Sequence, residues 1–124
     1  MTFVDSSVWV EFFSAGPLAE RVAPHLLDPA ALVTSPIVLY EVYRRLKRDR
    51  GEEGALLAVS QIRKGQVEPV TELVALTAAD LAAKYGLAMA DALVYATARL
   101  HDALLVTCDK DFAELPGVEY HAKA

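Results

Sequence analysis

Apolar residues along this chain fall in short clusters that switch between strand-like and helical spacing, with glycine, proline and acidic residues as punctuation. Phe3-Val4 leading into Asp5 reads as a first buried strand that ends on an acid, and Ala31–Thr34 as a second. Val67–Val70 is a third, placed near a sheet edge because Pro69 cannot donate to a ladder. Ala103–Val106 and Val118–Tyr120 complete the set. Between them lie a helix over Val8–Phe13, started by Asp5-Ser6-Ser7, and another over Leu18–Leu27. Ser35-Pro36 opens a longer helix, with serine as N-cap and proline where its missing N–H does no harm; Gly51 ends it. Glu52–Lys64 is helical up to Gly65, and Thr77–Asp80 matches a capping box whose short helix stops at Gly86. A long alanine-rich helix carries Asp91 to about His101, and a brief helical turn falls near Phe112–Leu115. Strands alternating with helices predict one α/β domain over residues 1–124 with a mainly parallel sheet.

Composition narrows this reading. Hydrophobic residues make up 54% of the 124, enough for a sizeable core and against disorder over most of the length. No apolar run approaches the ~20 residues of a membrane span, and no basic leader precedes an apolar stretch at Met1–Asp5, so no membrane partner is expected. The single cysteine, Cys108, excludes an internal disulfide and fits a reducing cytoplasm. His25, His101 and His121 are scattered, with no Cys/His cluster of zinc spacing. A net charge of −5 argues against nucleic-acid binding by a bulk positive field, but Arg44, Arg45, Lys47, Arg48 and Arg50 crowd one short segment. Those cations are either a solvated helix face or a flank that holds a phosphate backbone; Arg45 and Arg48 share the face of Glu41.

The chemistry lies in the acids. Ionised carboxylates are seldom buried unless paired, hydrogen-bonded or metal-bound. Asp91 sits in an apolar helix where Leu87, Val94 and Ala98 share its face, so it needs a partner. Asp5 ends the first strand, Asp109 follows the fourth, and Glu41 lies along the helix begun at Ser35-Pro36. Each has a plain alternative: Asp5 as a helix cap, Glu41 in an i,i+4 ion pair with Arg45, Asp91 in a buried pair with arginine, Asp109 and Asp111 as caps of the turn after them. Taken in order, the four favour convergence beyond the carboxyl ends of parallel strands, where hard oxygen ligands suit Mg²⁺ or Mn²⁺ and phosphodiester hydrolysis.

Asp5-Ser6-Ser7-Val8-Trp9, Glu41 after Ser35-Pro36, Asp91-Ala92, and Thr107-Cys108-Asp109-Lys110-Asp111-Phe112 together resemble the PIN domain, and within it the VapC-type toxins of toxin–antitoxin pairs. The resemblance covers nearly the whole chain. It implies a three-layer, Rossmann-like α/β/α sandwich and a Mg²⁺- or Mn²⁺-dependent endoribonuclease. Carried over by position, Asp5, Glu41, Asp91 and Asp109 form the acidic quartet. Asp5, Asp91 and Asp109 then bind metal, Glu41 completes the cage or orients water, and Ser7 and Thr107 hold neighbouring ligands. Asp111 rivals Asp109 as the fourth acid. The resemblance further implies an RNA substrate, a homodimer and a cognate antitoxin whose tail covers the acidic groove.

Two other functions fit a small α/β domain with acids at strand ends. A receiver-like phosphoacceptor module would show paired acids after its first strand, an aspartate after its third and a lysine after its last; here the first strand ends in one acid, the third has no aspartate, and Lys110 lies inside the acidic turn. A PIN-like scaffold that binds RNA or protein without cutting would lack one of the acids. Trp9, Phe12 and Phe13 are core residues or contacts for another chain.

Overall fold

The computed structural model describes residues 1–123; Ala124 lies outside the described residues. Five strands, β1 (Thr2–Val4), β2 (Leu32–Thr34), β3 (Gln66–Val67), β4 (Leu104–Thr107) and β5 (Val118–Tyr120), form a sheet in the order β3-β2-β1-β4-β5 with every pairing parallel. Six helices, α1 (Ser6–Phe13), α2 (Ala19–Val22), α3 (Pro36–Arg50), α4 (Glu52–Ile62), α5 (Glu72–Tyr85) and α6 (Met89–Leu100), complete a three-layer α/β/α sandwich. No single helix among the described residues is long and apolar enough to cross a membrane.

The central strands β1, β2 and β4 are buried almost throughout, as sandwiched parallel strands must be, whereas the edge strand β3 is exposed and β5 half-buried. Phe3 and Val4 of β1 and Leu105 and Val106 of β4 pack with Val38, Val42 and Leu46 of α3 and with Val94, Tyr95 and Ala98 of α6. A smaller cluster, Val74 and Ala78 against Ala92 and Ala96, joins α5 to α6. The alanines that made α6 stand out in sequence let helices approach closely on more than one side.

The structure redraws several boundaries. The helix expected over Leu18–Leu27 is α2 followed by a 3₁₀ turn over Ala23–Leu26, because Pro24 has no N–H to continue the α pattern. β3 is two residues long; the Glu68 amide still reaches the Thr34 carbonyl at 2.9 Å, and the ladder stops at Pro69. Thr77–Asp80 starts no helix. It lies within α5, whose N-cap is Thr71, with the Thr71 hydroxyl accepting from the Val74 amide at 3.2 Å. Gly86 ends α5 in the left-handed conformation, and Gly51, at φ 86°, turns the chain from α3 into α4. The last turn is a 3₁₀ segment over Lys110–Phe112, earlier than the expected Phe112–Leu115.

This strand order fixes the site. The chain leaves β1 towards β2 and β3 on one side, and later returns to build β4 and β5 on the other. The carboxyl ends of β1 and β4 therefore flank the point where the order reverses, which is where open parallel sheets bind ligands.

Candidate active site

Asp5 follows β1 directly and is only 4% exposed. It is the N-cap residue of α1, yet its side chain makes no capping hydrogen bond. Its Oδ2 instead accepts from the Ser7 hydroxyl at 2.9 Å and the Thr107 hydroxyl at 2.8 Å. Each hydroxyl has one hydrogen, so the 3.3 Å approach of Ser7 to Thr107 carries no hydrogen bond once both donate to Asp5. Both hydroxyls also accept: Ser7 from the Cys108 amide and Thr107 from the Asp109 amide, each at 2.9 Å. The ends of β1 and β4 are thus joined through side chains as well as by the Asp5 amide donating to the Val106 carbonyl. Burial pushes the Asp5 carboxyl up, against the lowering effect of its hydrogen bonds from Thr107 and Ser7.

Asp91 occupies the first turn of α6 without capping it. Its carboxylate oxygen lies within 4.8 Å of oxygens of Asp109 and Asp111, which follow β4. Asp109 also caps the 3₁₀ turn by accepting from the Asp111 amide at 2.9 Å, so the capping reading and the cluster hold together. Asp5 and Glu41 stand outside this tight trio but are close enough to act on it. The Asp91 carboxyl is raised to about 6, first by desolvation and then by repulsion from Asp109, Asp5, Glu41 and Asp111. Glu41, on α3, accepts from the Ser6 hydroxyl at 3.2 Å, and desolvation followed by repulsion from Asp5 raises it too.

The alternative ion pairs do not form. Arg45 and Arg48 both turn to Asp49, at 2.9 and 3.0 Å, leaving Glu41 without the Arg45 partner that i,i+4 spacing offered. Among the described residues, no lysine, arginine or histidine pairs with Asp5, Glu41, Asp91, Asp109 or Asp111. Among the described residues, these five acids gather with no ion pair to neutralise them. Such a donor set fits a hard divalent cation.

Beside the acids opens a cavity of about 480 Å³. Ser6, Ser7 and Glu41 line it together with Arg44, Arg45 and Arg48, and with Tyr40 and Lys123. Ser6, Tyr40 and Lys123 were not singled out by sequence. Ser6 lies next to Asp5, and Tyr40 precedes Glu41 as an exposed aromatic, so both carried a local signal; Lys123, beyond β5, carried none. Of the three aromatics of α1, Trp9 is buried and stacks on Phe13 at 5.7 Å, while Phe12 is 38% exposed.

Crowding of like charges sets a pH dependence. The folded carboxyl of Asp91, at about 6, lies above its ordinary 3.8, so the native state holds that proton more tightly than the unfolded chain. Without cations, this contribution is most favourable below about pH 4 and is lost as pH rises through 6. Because Asp91 is half-buried, solvent screening reduces the difference to about 1 kcal/mol. Thermal melts in EDTA should find Asp91→Asn more stable than wild type at pH 7.5 and no more stable at pH 4. A constant difference across that range would contradict the charge origin.

A parallel α/β/α domain with acids gathered at its topological switch point offers oxygen donors that a hard divalent cation would fit. Residues 2–118 match the PIN domain family, and the chain belongs to it. No curated relative matches the chain by sequence. Among solved structures, it is similar to a chain of a toxin–antitoxin complex from Klebsiella pneumoniae, with 26% identity, a TM-score of 0.83, and 99% of this chain and 100% of that one covered. It is similar to Mycobacterium tuberculosis VapC20, a sarcin–ricin loop cleaving toxin, with 26% identity, a TM-score of 0.77, and 94% and 95% covered. A chain of FitAB bound to a DNA fragment shares 25% identity at a TM-score of 0.75, with 100% and 99% covered.

Proposed function

We propose that the protein is a divalent-metal-dependent endoribonuclease and the toxin of a toxin–antitoxin pair. The carrying observation is the convergence of Asp91, Asp109 and Asp111 with no cationic side chain among them, at a switch point shared with Asp5. Likeness to VapC20, a sarcin–ricin loop cleaving toxin, supports RNA as the substrate class.

Asp91 and Asp109 would hold Mg²⁺ or Mn²⁺, with Asp111 and Asp5 as further oxygen ligands directly or through water. A divalent cation at such a site neutralises phosphate charge and acidifies water for attack on phosphorus. Glu41, held by Ser6 and raised by desolvation and then by Asp5, would orient the attacking water and take its proton. Ser7 and Thr107 fix the Asp5 carboxylate by donating to it, so that it need not reorganise during turnover. Arg45 and Arg48 hold the RNA backbone along the cavity wall.

The antitoxin partner rests on likeness to chains from toxin–antitoxin complexes. Self-association as a homodimer is supported by exposed Leu56 and Leu57 on α4 and Leu73 and Leu76 on α5. The test is cleavage of a pool of structured RNAs by the purified chain with Mg²⁺, with Mn²⁺ and with EDTA, beside Asp5→Asn and a single-stranded DNA pool. Metal-dependent RNA cuts lost in Asp5→Asn support the reading; cuts that persist in EDTA, or that fall equally on DNA, count against it.

The arginines give a separate expectation. Each phosphate contact contributes a slope of roughly −0.7 to a plot of log affinity against log salt for single strands. Replacing Arg45 and Arg48 together with alanine should flatten that slope by about 1.4 and weaken binding of all RNAs alike. Fluorescence anisotropy from 50 to 300 mM salt measures it, and an unchanged slope would show that these side chains only serve Asp49.

A further inference from the structure

We propose a second metal site, for a transition metal such as Zn²⁺, formed by His25, Glu119 and His121. Nothing in the acidic chemistry uses these residues. Glu119 and His121 belong to or follow the edge strand β5, and their i,i+2 spacing along extended chain puts both side chains on one face. His25 arrives from the 3₁₀ turn after α2, nearly the length of the domain away in sequence.

The three side chains meet closely. Glu119 Oε2 lies 2.6 Å from His25 Nε2 and 2.8 Å from His121 Nε2. The imidazole rings stand edge to face with centroids 5.7 Å apart. All three are partly buried, with side-chain exposures of 26% for His25, 14% for His121 and 40% for Glu119. A carboxylate oxygen only accepts, so each Nε2 that meets it either donates a hydrogen or shares a cation with it. Two Nε2 atoms aimed at one oxygen are placed for the second role. Two histidines and a glutamate are a recurring zinc ligand set, with a fourth position left to water. Ligand atoms around zinc stand roughly 3.3 Å apart, so contacts of 2.6 and 2.8 Å need to open by about 0.5–0.7 Å, within the reach of side-chain rotation.

The ligand chemistry separates this site from the acidic one. Imidazole nitrogen favours Zn²⁺ and Co²⁺ over Mg²⁺, whereas an all-carboxylate site favours Mg²⁺ and Mn²⁺. Its position gives it a consequence. The His121 amide donates to the Thr107 carbonyl at 2.8 Å, and the Thr107 hydroxyl holds Asp5. A metal here ties the turn after α2 to the edge strand and steadies the strand end on which the acidic site is built.

The experiment uses the full chain at neutral pH with 10 mM Mg²⁺ present. Zn²⁺ binding is followed by calorimetry, and Co²⁺ by its visible absorption. The wild type should bind one Zn²⁺ and give the intense bands of four-coordinate Co²⁺. His25→Gln and His121→Gln should each lose both signals, while Asp91→Asn and Cys108→Ser keep them. Zn²⁺ should also raise the melting temperature of the wild type and not that of His25→Gln. His25 lies on a surface turn, so its variant serves if His121→Gln fails to fold; circular dichroism in EDTA checks both. Absence of binding, binding that survives His25→Gln, or binding lost in Asp91→Asn or Cys108→Ser would each overturn the site.

Discussion

Asp91→Asn should lower metal-dependent RNA cleavage by at least roughly 100-fold, the scale of losing one charge-stabilising group from a preorganised site. The substitution keeps shape and removes a charge. Asp91 lies in the first turn of α6, whose N-terminal dipole tolerates an anion, and clusters with Asp109 and Asp111. Losing its charge weakens the hold on a cation and removes the desolvation and repulsion that together raise its carboxyl to about 6. Activity and cation-free stability should therefore move in opposite directions, which separates a functional acid from a structural one. Asp80→Asn, an exposed acid on α5, serves as the control and should change neither. A variant that keeps full activity would exclude Asp91 from the site.

Thr107→Val should be the most destabilising single change of similar volume near the site. The hydroxyl donates to Asp5 Oδ2 at 2.8 Å and accepts from the Asp109 amide at 2.9 Å, and Thr107 is fully buried. Valine leaves an amide without its acceptor, at about 1–3 kcal/mol, and a buried carboxylate with one donor fewer, at about 1 kcal/mol. A total of about 2–4 kcal/mol lowers the melting temperature of a chain of this size by roughly 8–16 °C. Thr107→Ser keeps the hydroxyl and should recover most of that loss. A valine variant as stable as wild type would mean that water replaces the hydroxyl and that the strand ends are not joined as described.

Much of this arrangement was legible in the sequence because it depends on local rules. Strand ends followed by acids, a Ser-Pro helix start and an aspartate inside an apolar helix are read from neighbouring residues. All four acids of the quartet lie at or beside the switch point, together with Asp111. The start of α5 was misplaced because two threonines each precede an acid, and local pattern alone does not choose between them; Thr71 takes the cap and Thr77 falls inside the helix. The Leu18–Leu27 helix was drawn too long because apolar spacing outweighed the missing amide of Pro24.

What sequence could not supply were meetings across the fold. Arg45 chose Asp49 over Glu41 although both stand four residues away, so spacing offered two partners and packing selected one. Ser6 reaches Glu41 only because α1 packs on α3. His25 and His121 looked scattered because the strand that carries one and the turn that carries the other meet only in the folded chain.

The most direct measurement is a crystal grown with Mn²⁺ and examined by anomalous scattering at the manganese edge. The account predicts a peak among the carboxylates of Asp91, Asp109 and Asp111, within reach of Asp5 directly or through water, and no such peak in an Asp91→Asn crystal. Manganese absent from that pocket, or bound there equally in the Asp91→Asn protein, would contradict a metal-dependent nuclease at this site.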